Sequence, residues 1–339
     1  MNIKDRIVRY SELKPCTSAF IDTRSPGSDK KENFTIIGPG VAENPDQHVH
    51  IGMPHGFNIG GARQPAGCLN SQHSHLTEEV FVVHNGKWDF ISGVNADDGR
   101  ISLSEGDIIS IPMDIFRGFE CLEGASQAPE KDLGFLYAVL GGDNPGRVLW
   151  APKVFDMAKD FGLILLEDGS LVDTTLGEQV PKGQKAMPVT SLEQINEHRV
   201  VSSEYLKKTV IRTTDFNWNK NSLLSQFDGV EEVSLIGGDS KSEGLYASKL
   251  SWDHGFVVRG LKLASNARIP LHKRLEEEVI FVHQGKLTLE VDGEVVKLTR
   301  GDTFTTPINA QRCFINDSND DCILYVTRGG NQPKGAVFI

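Results

Sequence analysis

The feature that most constrains this chain is that it carries the same pattern twice. Ile37-Gly38 recurs at Ile236-Gly237, "HGF" at His55 to Phe57 recurs at His254 to Phe256, and Gly61 recurs at Gly260. His73, Glu79, His84 and Gly86 fall on His272, Glu278, His283 and Gly285, and every one of these pairs is 199 positions apart. The spacing then drops to 195, with Gly106-Asp107 on Gly301-Asp302, Pro112 on Pro307 and Arg117 on Arg312. It drops again to 188, where "LYAVLGGDNP" from Leu136 meets "LYVTRGGNQP" from Leu324. Blocks of constant spacing separated by small steps are what differing loop lengths produce between two copies of one fold. The chain is a tandem duplication.

Each copy reads as β. "EVFVVHNGKWDFISG" and "EVIFVHQGKLTLEVDG" are β-branched and aromatic runs broken by Asn-Gly, Gln-Gly or Asp-Gly turns. "GRISLSEGDIISIP" and "GEVVKLTRGDTFTTP" are short strand pairs hinged on Gly-Asp and stopped by proline. Many short strands at regular spacing predict a sandwich or barrel. Residues 146–215 differ: Pro152 is placed for a helix start and Gly162 for its end, and Thr190 with Glu193 has capping-box spacing. We therefore expect an N-terminal barrel over 1–145, a connector with helices over 146–215 and a C-terminal barrel over 216–339.

The chain has 339 residues, 39% of them hydrophobic and 24% charged, an ordinary globular balance with enough apolar content for two cores. A net charge of −11 and a pI near 5.4 argue against nucleic acid or an anionic membrane as partner. No apolar run approaches the roughly 18 residues of a membrane span, and "MNIKDRIVRYSELKP" lacks the apolar stretch of a signal peptide. Cys16, Cys68, Cys121, Cys313 and Cys322 are odd in number with no CxxC pair, which fits reduced thiols used as apolar filler and a cytoplasmic location.

The chemistry concentrates in "QHSHLTEEVFVVHNG", residues 72–86. Residues two apart in a strand share a face, so His73 and His75 aim both imidazoles to one side, and Glu79 can return a carboxylate after a short turn. Two imidazoles and one carboxylate form the facial set that suits non-haem Fe(II), with Mn, Ni or Zn compatible. The alternative is a solvent-facing strand carrying polar histidines.

Gly67, His73, His75, Glu79 and Gly86 reproduce the first motif of the cupin superfamily, and with the duplication the chain resembles a bicupin. Of the second motif, Gly106 and Pro112 are present, while Asp114, Arg117 and Cys121 replace its glycine, metal-binding histidine and asparagine. The resemblance implies a mainly β fold of two double-stranded β-helix (jelly-roll) barrels. It further implies a divalent metal held by His73, His75 and Glu79. Bicupins with one intact site look like gentisate 1,2-dioxygenase-type enzymes, which implies Fe(II) and O₂ chemistry on a small or aromatic organic acid. A metal-dependent isomerase or lyase, or a non-enzymatic ligand-binding bicupin, is the alternative. A homodimer or higher homo-oligomer is expected from exposed barrel edges.

The second copy serves as an internal control. It keeps His272 and Glu278 but has Arg274 in place of the second histidine and Arg312 in place of the motif-two histidine. Arginine has no lone pair to donate, so this copy is expected to bind no metal and to form an Arg274–Glu278 ion pair. His55 and His84 persist there as His254 and His283, which points to structural roles. His48 and His50 have no counterpart and are read as an exposed edge or as a source of a fourth ligand. Arg117 is read two ways, as a bidentate anchor for a substrate carboxylate or as scaffold paired with Asp114 or Glu120. Trp88 and Tyr137 are assigned to core packing.

Overall fold

The computed structural model describes residues 2–127 and 130–339. Contacts divide the chain into two compact units. One comprises Lys14–Gly52 and Asn58–Val210; the other comprises the described residues up to Leu13, Met53–Phe57 and Ile211–Ile339.

In the first unit a five-stranded sheet runs in the order Leu149–Trp150, Leu69–Ser74, Arg117–Glu123, Lys87–Ser92, Gly99–Ser104. A second sheet contains Ile108–Ile111, Glu79–Asn85, Leu133–Gly141, Phe57–Pro65, Glu32–Ile37 and Val49–Ile51 in that order. Phe81, Phe90, Phe119, Trp88 and Leu136 fill the space enclosed. Trp88 is fully buried and donates its indole N–H to Asn85 O at 3.0 Å; Tyr137 is buried as well.

Among the described residues the second unit repeats this order, except that the edge strand Val49–Ile51 has no counterpart strand. Val337–Phe338, Arg268–Lys273, Arg312–Ile315, Lys286–Val291 and Glu294–Thr299 form one sheet. Thr303–Thr306, Glu278–Gln284, Cys322–Gly329, Phe256–Leu263 and Val230–Ile236 form the other. Its core holds Leu261, Ile280, Leu289, Phe304, Phe314 and Leu324. The edge of this second sheet is completed by the start of the chain, Ile7 pairing with Phe304 and Val8 with Thr303. Arg9 and the Tyr10 N–H both reach Asp302, at 2.7 and 3.0 Å, which fixes that strand. The sequence gives no sign of this early strand, because two residues carry no readable period.

The turn that closes each motif explains one shared glycine. Gly86 and Gly285 have φ of +83° and +80°, and a Cβ there would lie 2.5 Å from Glu123 O and 2.6 Å from Asp321 O. The connector packs on the first barrel through Trp150, Val154, Ala158, Leu163 and Leu165. Its first helix, Pro152–Asp160, begins on the expected proline and is followed by Gly162 at φ +81°. The second helix, Leu192–Asn196, is capped one residue later than the sequence suggested. Ser191 and Gln194 form the capping box, because the Thr190 hydroxyl is buried and donates to Trp150 O at 2.6 Å. All five cysteines are free thiols, four of them buried.

Candidate functional site

The first barrel gathers three donors. His73 lies in the strand Leu69–Ser74, His75 just beyond it, and Glu79 opens the facing strand Glu79–Asn85. Their ligand atoms all lie within 4.8 Å of one another, and all three side chains are buried. Among the described residues this is the one such group of His, Cys, Asp or Glu.

The tautomer of His73 follows from its neighbour. Ser71 O can only accept, so the 2.7 Å contact with Nδ1 places the ring proton there and leaves the Nε2 lone pair free. His75 Nδ1 is buried without a partner, and its Nε2 lies 3.6 Å from Glu79 Oε2. Burial first, and the Arg117 charge second, hold both imidazoles far below the ordinary histidine range, so both are neutral. Neutral buried imidazoles with unused nitrogens beside a carboxylate fit a divalent metal.

Arg117 complicates the fit. Its Cα is the cross-strand partner of His73, so the side chain enters the same interior. There Nη2 donates to Glu79 Oε2 at 2.5 Å and Nη1 donates to His73 O at 3.2 Å, while Nε is buried without a partner. The partner of Arg117 is thus neither Asp114 nor Glu120, the acids sequence proximity suggested. Glu120 is 3.5 Å from Arg100 instead. Asp114, at φ +60°, uses its backbone carbonyl to accept from Arg199 N. Burial raises the Glu79 carboxyl, opposed by the Arg117 guanidinium.

His48 and His50 do not join the site. His50 Nδ1 contacts Thr35 O at 2.7 Å and its Nε2 accepts from Lys14 N at 3.1 Å, so both nitrogens are committed. His48 is exposed. His55 contacts Met53 O and Thr305 Oγ1 through its two nitrogens, and His84 stacks edge-on against Phe135.

A cavity of about 70 Å³ opens onto the donors. His73, His75 and Glu79 line it together with Trp150, Phe81, Phe119, Ala138 and Leu140, and Asn33, Thr35, Asn58 and Asn70 add polar groups. Arg117 is not part of this lining. One residue that sequence reasoning missed stands behind the wall. Glu43 accepts from Trp150 Nε1 at 2.6 Å and from Ile21 N at 2.7 Å, and burial pushes its carboxyl up to about 8 despite both donors. No motif marks it; its tie to Trp150 depends on a contact 107 positions along the chain.

The equivalent place in the second barrel holds charge instead of space. Arg274 Nε meets Glu278 Oε2 at 2.7 Å and Nη1 meets Glu243 Oε1 at 2.7 Å. Arg328 also pairs with Glu243, and with Glu276 at 3.0 Å, while Arg312 Nε lies 3.5 Å from Glu278 Oε1. His272 repeats the His73 tautomer through Pro270 O at 2.9 Å, but its buried Nε2 has no partner.

Residues 261–328, all in the second barrel, match the family model for the cupin domain. No curated protein matches the chain. Among solved structures, the chain resembles a formate complex of oxalate decarboxylase from Lactobacillus farciminis, at a TM-score of 0.58 and 11% identity over 98% of this chain and 88% of that one. A deletion mutant of Bacillus subtilis oxalate decarboxylase gives 0.56 and 12% over 98% and 79%. AerE from Microcystis aeruginosa gives 0.50 and 14% over 95% and 98%. At such identities the likeness is one of fold. The chain is mostly β with a cupin-like fold similar to that of oxalate decarboxylase, and its second barrel carries a recognisable cupin domain.

Proposed function

We propose that the first barrel is a divalent-metal site, held by His73, His75 and Glu79, at which a small organic acid reacts. The observation that carries this reading is the convergence of three buried donors within 4.8 Å on a cavity. Within that reading we favour a non-haem Fe(II) dioxygenase, of the broad kind to which gentisate dioxygenases belong. A facial set of three donors leaves coordination positions open, and when bound the metal would supply electron transfer to O₂. One further observation favours this over an isomerase. Apart from the three donors, no residue lining the cavity is titratable, so the wall offers no separate base to move a proton between carbons. The wall of Phe81, Phe119, Leu140 and Trp150 is apolar, and Asn33 Nδ2, buried without a partner, is the amide placed to orient an acid.

Metal-assisted lyase chemistry is the second reading, supported by the fold likeness to oxalate decarboxylase. Metal analysis comes first: about one metal per chain is expected, and His75→Ala should lose it. Oxygen consumption by the Fe(II)-loaded protein with short-chain hydroxy, keto and dicarboxylic acids then separates the readings. Uptake of O₂ with loss of acid supports the dioxygenase; release of CO₂ without O₂ uptake supports the lyase. A protein that takes up no metal on reconstitution, whether or not a short-chain acid is present, overturns both.

A further inference from the structure

Arg117 places a fixed positive charge against a would-be metal ligand, and the charges of the site do not close without a further group. Arg117 and Glu79 are 3% and 5% exposed and compensate one another. A metal takes imidazoles in their neutral form, so a divalent cation added at His73, His75 and Glu79 would leave two positive charges uncompensated. Glu78, half-buried like Glu276 of the second barrel, exerts the weakest of the pulls on Arg117 and so offsets part of this charge but not both units. Uncompensated charge in an interior is strongly unfavourable.

The second barrel shows that this fold balances its buried charges. Relative to the first barrel it gains Arg274 at the place of His75, Arg328 at that of Leu140 and Arg259 at that of Gly60. It also gains Glu232 at the place of Asn33 and Glu276 at that of Thr77, and Glu243 bridges Arg274 and Arg328. With Arg312 and Glu278, the cluster holds four guanidiniums and four carboxyls. Every arginine added has been matched by an acid.

Resting on the metal reading above, we propose that the first barrel takes up a divalent metal only together with a doubly negative small ligand, and that Arg117 is the residue that enforces this coupling. The ligand would enter the cavity of about 70 Å³, which has room for about half a dozen waters or one short-chain acid. A short dicarboxylate fits both the charge and the space. Arg117 acts through the charge balance of Glu79 and the metal, so it is a positioning residue that need not touch the acid. A monocarboxylate supplies half the missing charge and couples weakly.

The test is equilibrium dialysis of the full chain against Mn²⁺ at fixed free-metal concentration, alone, with malonate, or with propionate. In the wild type, malonate should raise metal affinity by about tenfold or more, the usual scale of coupling between sites, and propionate should raise it far less. R117Q removes the competing charge, so it should bind Mn²⁺ without malonate and show only a few-fold enhancement. R117K keeps the charge and should keep the coupling, which guards against misfolding of R117Q. Equal wild-type affinity with and without malonate would overturn the proposal and leave the metal site standing. So would an equal enhancement in wild type and R117Q. Absence of Mn²⁺ from wild type, R117Q and R117K under every condition would overturn the metal reading itself.

Discussion

The two barrels share a strand order and a motif, yet one encloses a cavity and the other a knot of charge. Five aligned positions, together with Glu243, account for the difference. Gly60, His75 and Leu140 in the first barrel become Arg259, Arg274 and Arg328 in the second, and Asn33 and Thr77 become Glu232 and Glu276. In the first barrel Glu79 faces Leu140 across the sheet; in the second Glu278 faces Arg328. A cupin-like barrel thus offers one interior position set that can surround either a cavity or a self-contained ionic cluster. The carboxylates register this. Burial raises Glu79, which meets one guanidinium, whereas Glu278 is held below its ordinary value against the same burial because Arg312 and Arg274 flank it.

The comparison breaks most visibly at the pair His75 and Arg274. Removing one partner of a buried ionic network strands the other, at a cost of roughly 3–5 kcal/mol. Arg274→Met would leave Glu278 with Arg312 alone and Glu243 with Arg328 alone, so a loss within that range is expected in urea unfolding. His75→Ala removes a neutral ring whose Nδ1 has no partner, and should cost no more than about 1–3 kcal/mol. If the two substitutions cost the same, the second cluster is not held by charge.

The acids Glu43 and Glu243 sharpen the contrast through pH. Glu43 releases its proton near 4.5 when unfolded but only at about 8 when folded, so between these values the folded state binds more protons. Its contribution is complete below about pH 4.5 and is lost as pH rises to about 8. Glu243 runs the other way. Burial works against its charge, but Arg328 and Arg274 hold it down to about 2. Its contribution is present above about pH 4.5 and is lost as pH falls towards 2. Each effect is on the order of a few kcal/mol. Denaturation curves between pH 5 and 8 should show a fall in stability for the wild type that Glu43→Gln abolishes. Between pH 5 and 3 the fall should track Glu243 and vanish in Glu243→Gln, on a lower baseline. A flat wild-type profile above pH 5 would mean that Trp150 and Ile21 keep Glu43 ionised.

Much of this was legible in the chain because its causes are local or repeated. The duplication exposed the strand plan, since glycine turns and alternating runs recur at fixed spacing. His73, His75 and Glu79 were legible because a two-residue period and one turn suffice to converge them. The partner of Arg117 was not: Glu79 is 38 positions away and lies in the other sheet, whereas Asp114 and Glu120 are near only in sequence. Glu43 and the early strand Ile7–Val8 escaped for the same reason, their partners being supplied by the fold. The cap at Ser191 shows a subtler limit, because Thr190 and Ser191 offer equal local chemistry and a tertiary contact to Trp150 O chooses between them.

The smallest effect tests whether the cavity itself is what the second barrel lost. Ala138 lines the cavity and pairs with Phe81; at the matching place the second barrel has Val326, paired with Ile280. Ala138→Val therefore installs the second barrel's residue in the first without adding charge. The added methyls enter open space, so strain is small, and valine suits a strand better than alanine; the net change in stability should stay within about 1.5 kcal/mol. None of the three donors is altered, so Mn²⁺ affinity without acid should be unchanged. The space for the acid shrinks, so the malonate enhancement should fall several-fold. Were that enhancement intact, the acid would have to bind outside this cavity, and the difference between the barrels would be one of charge alone.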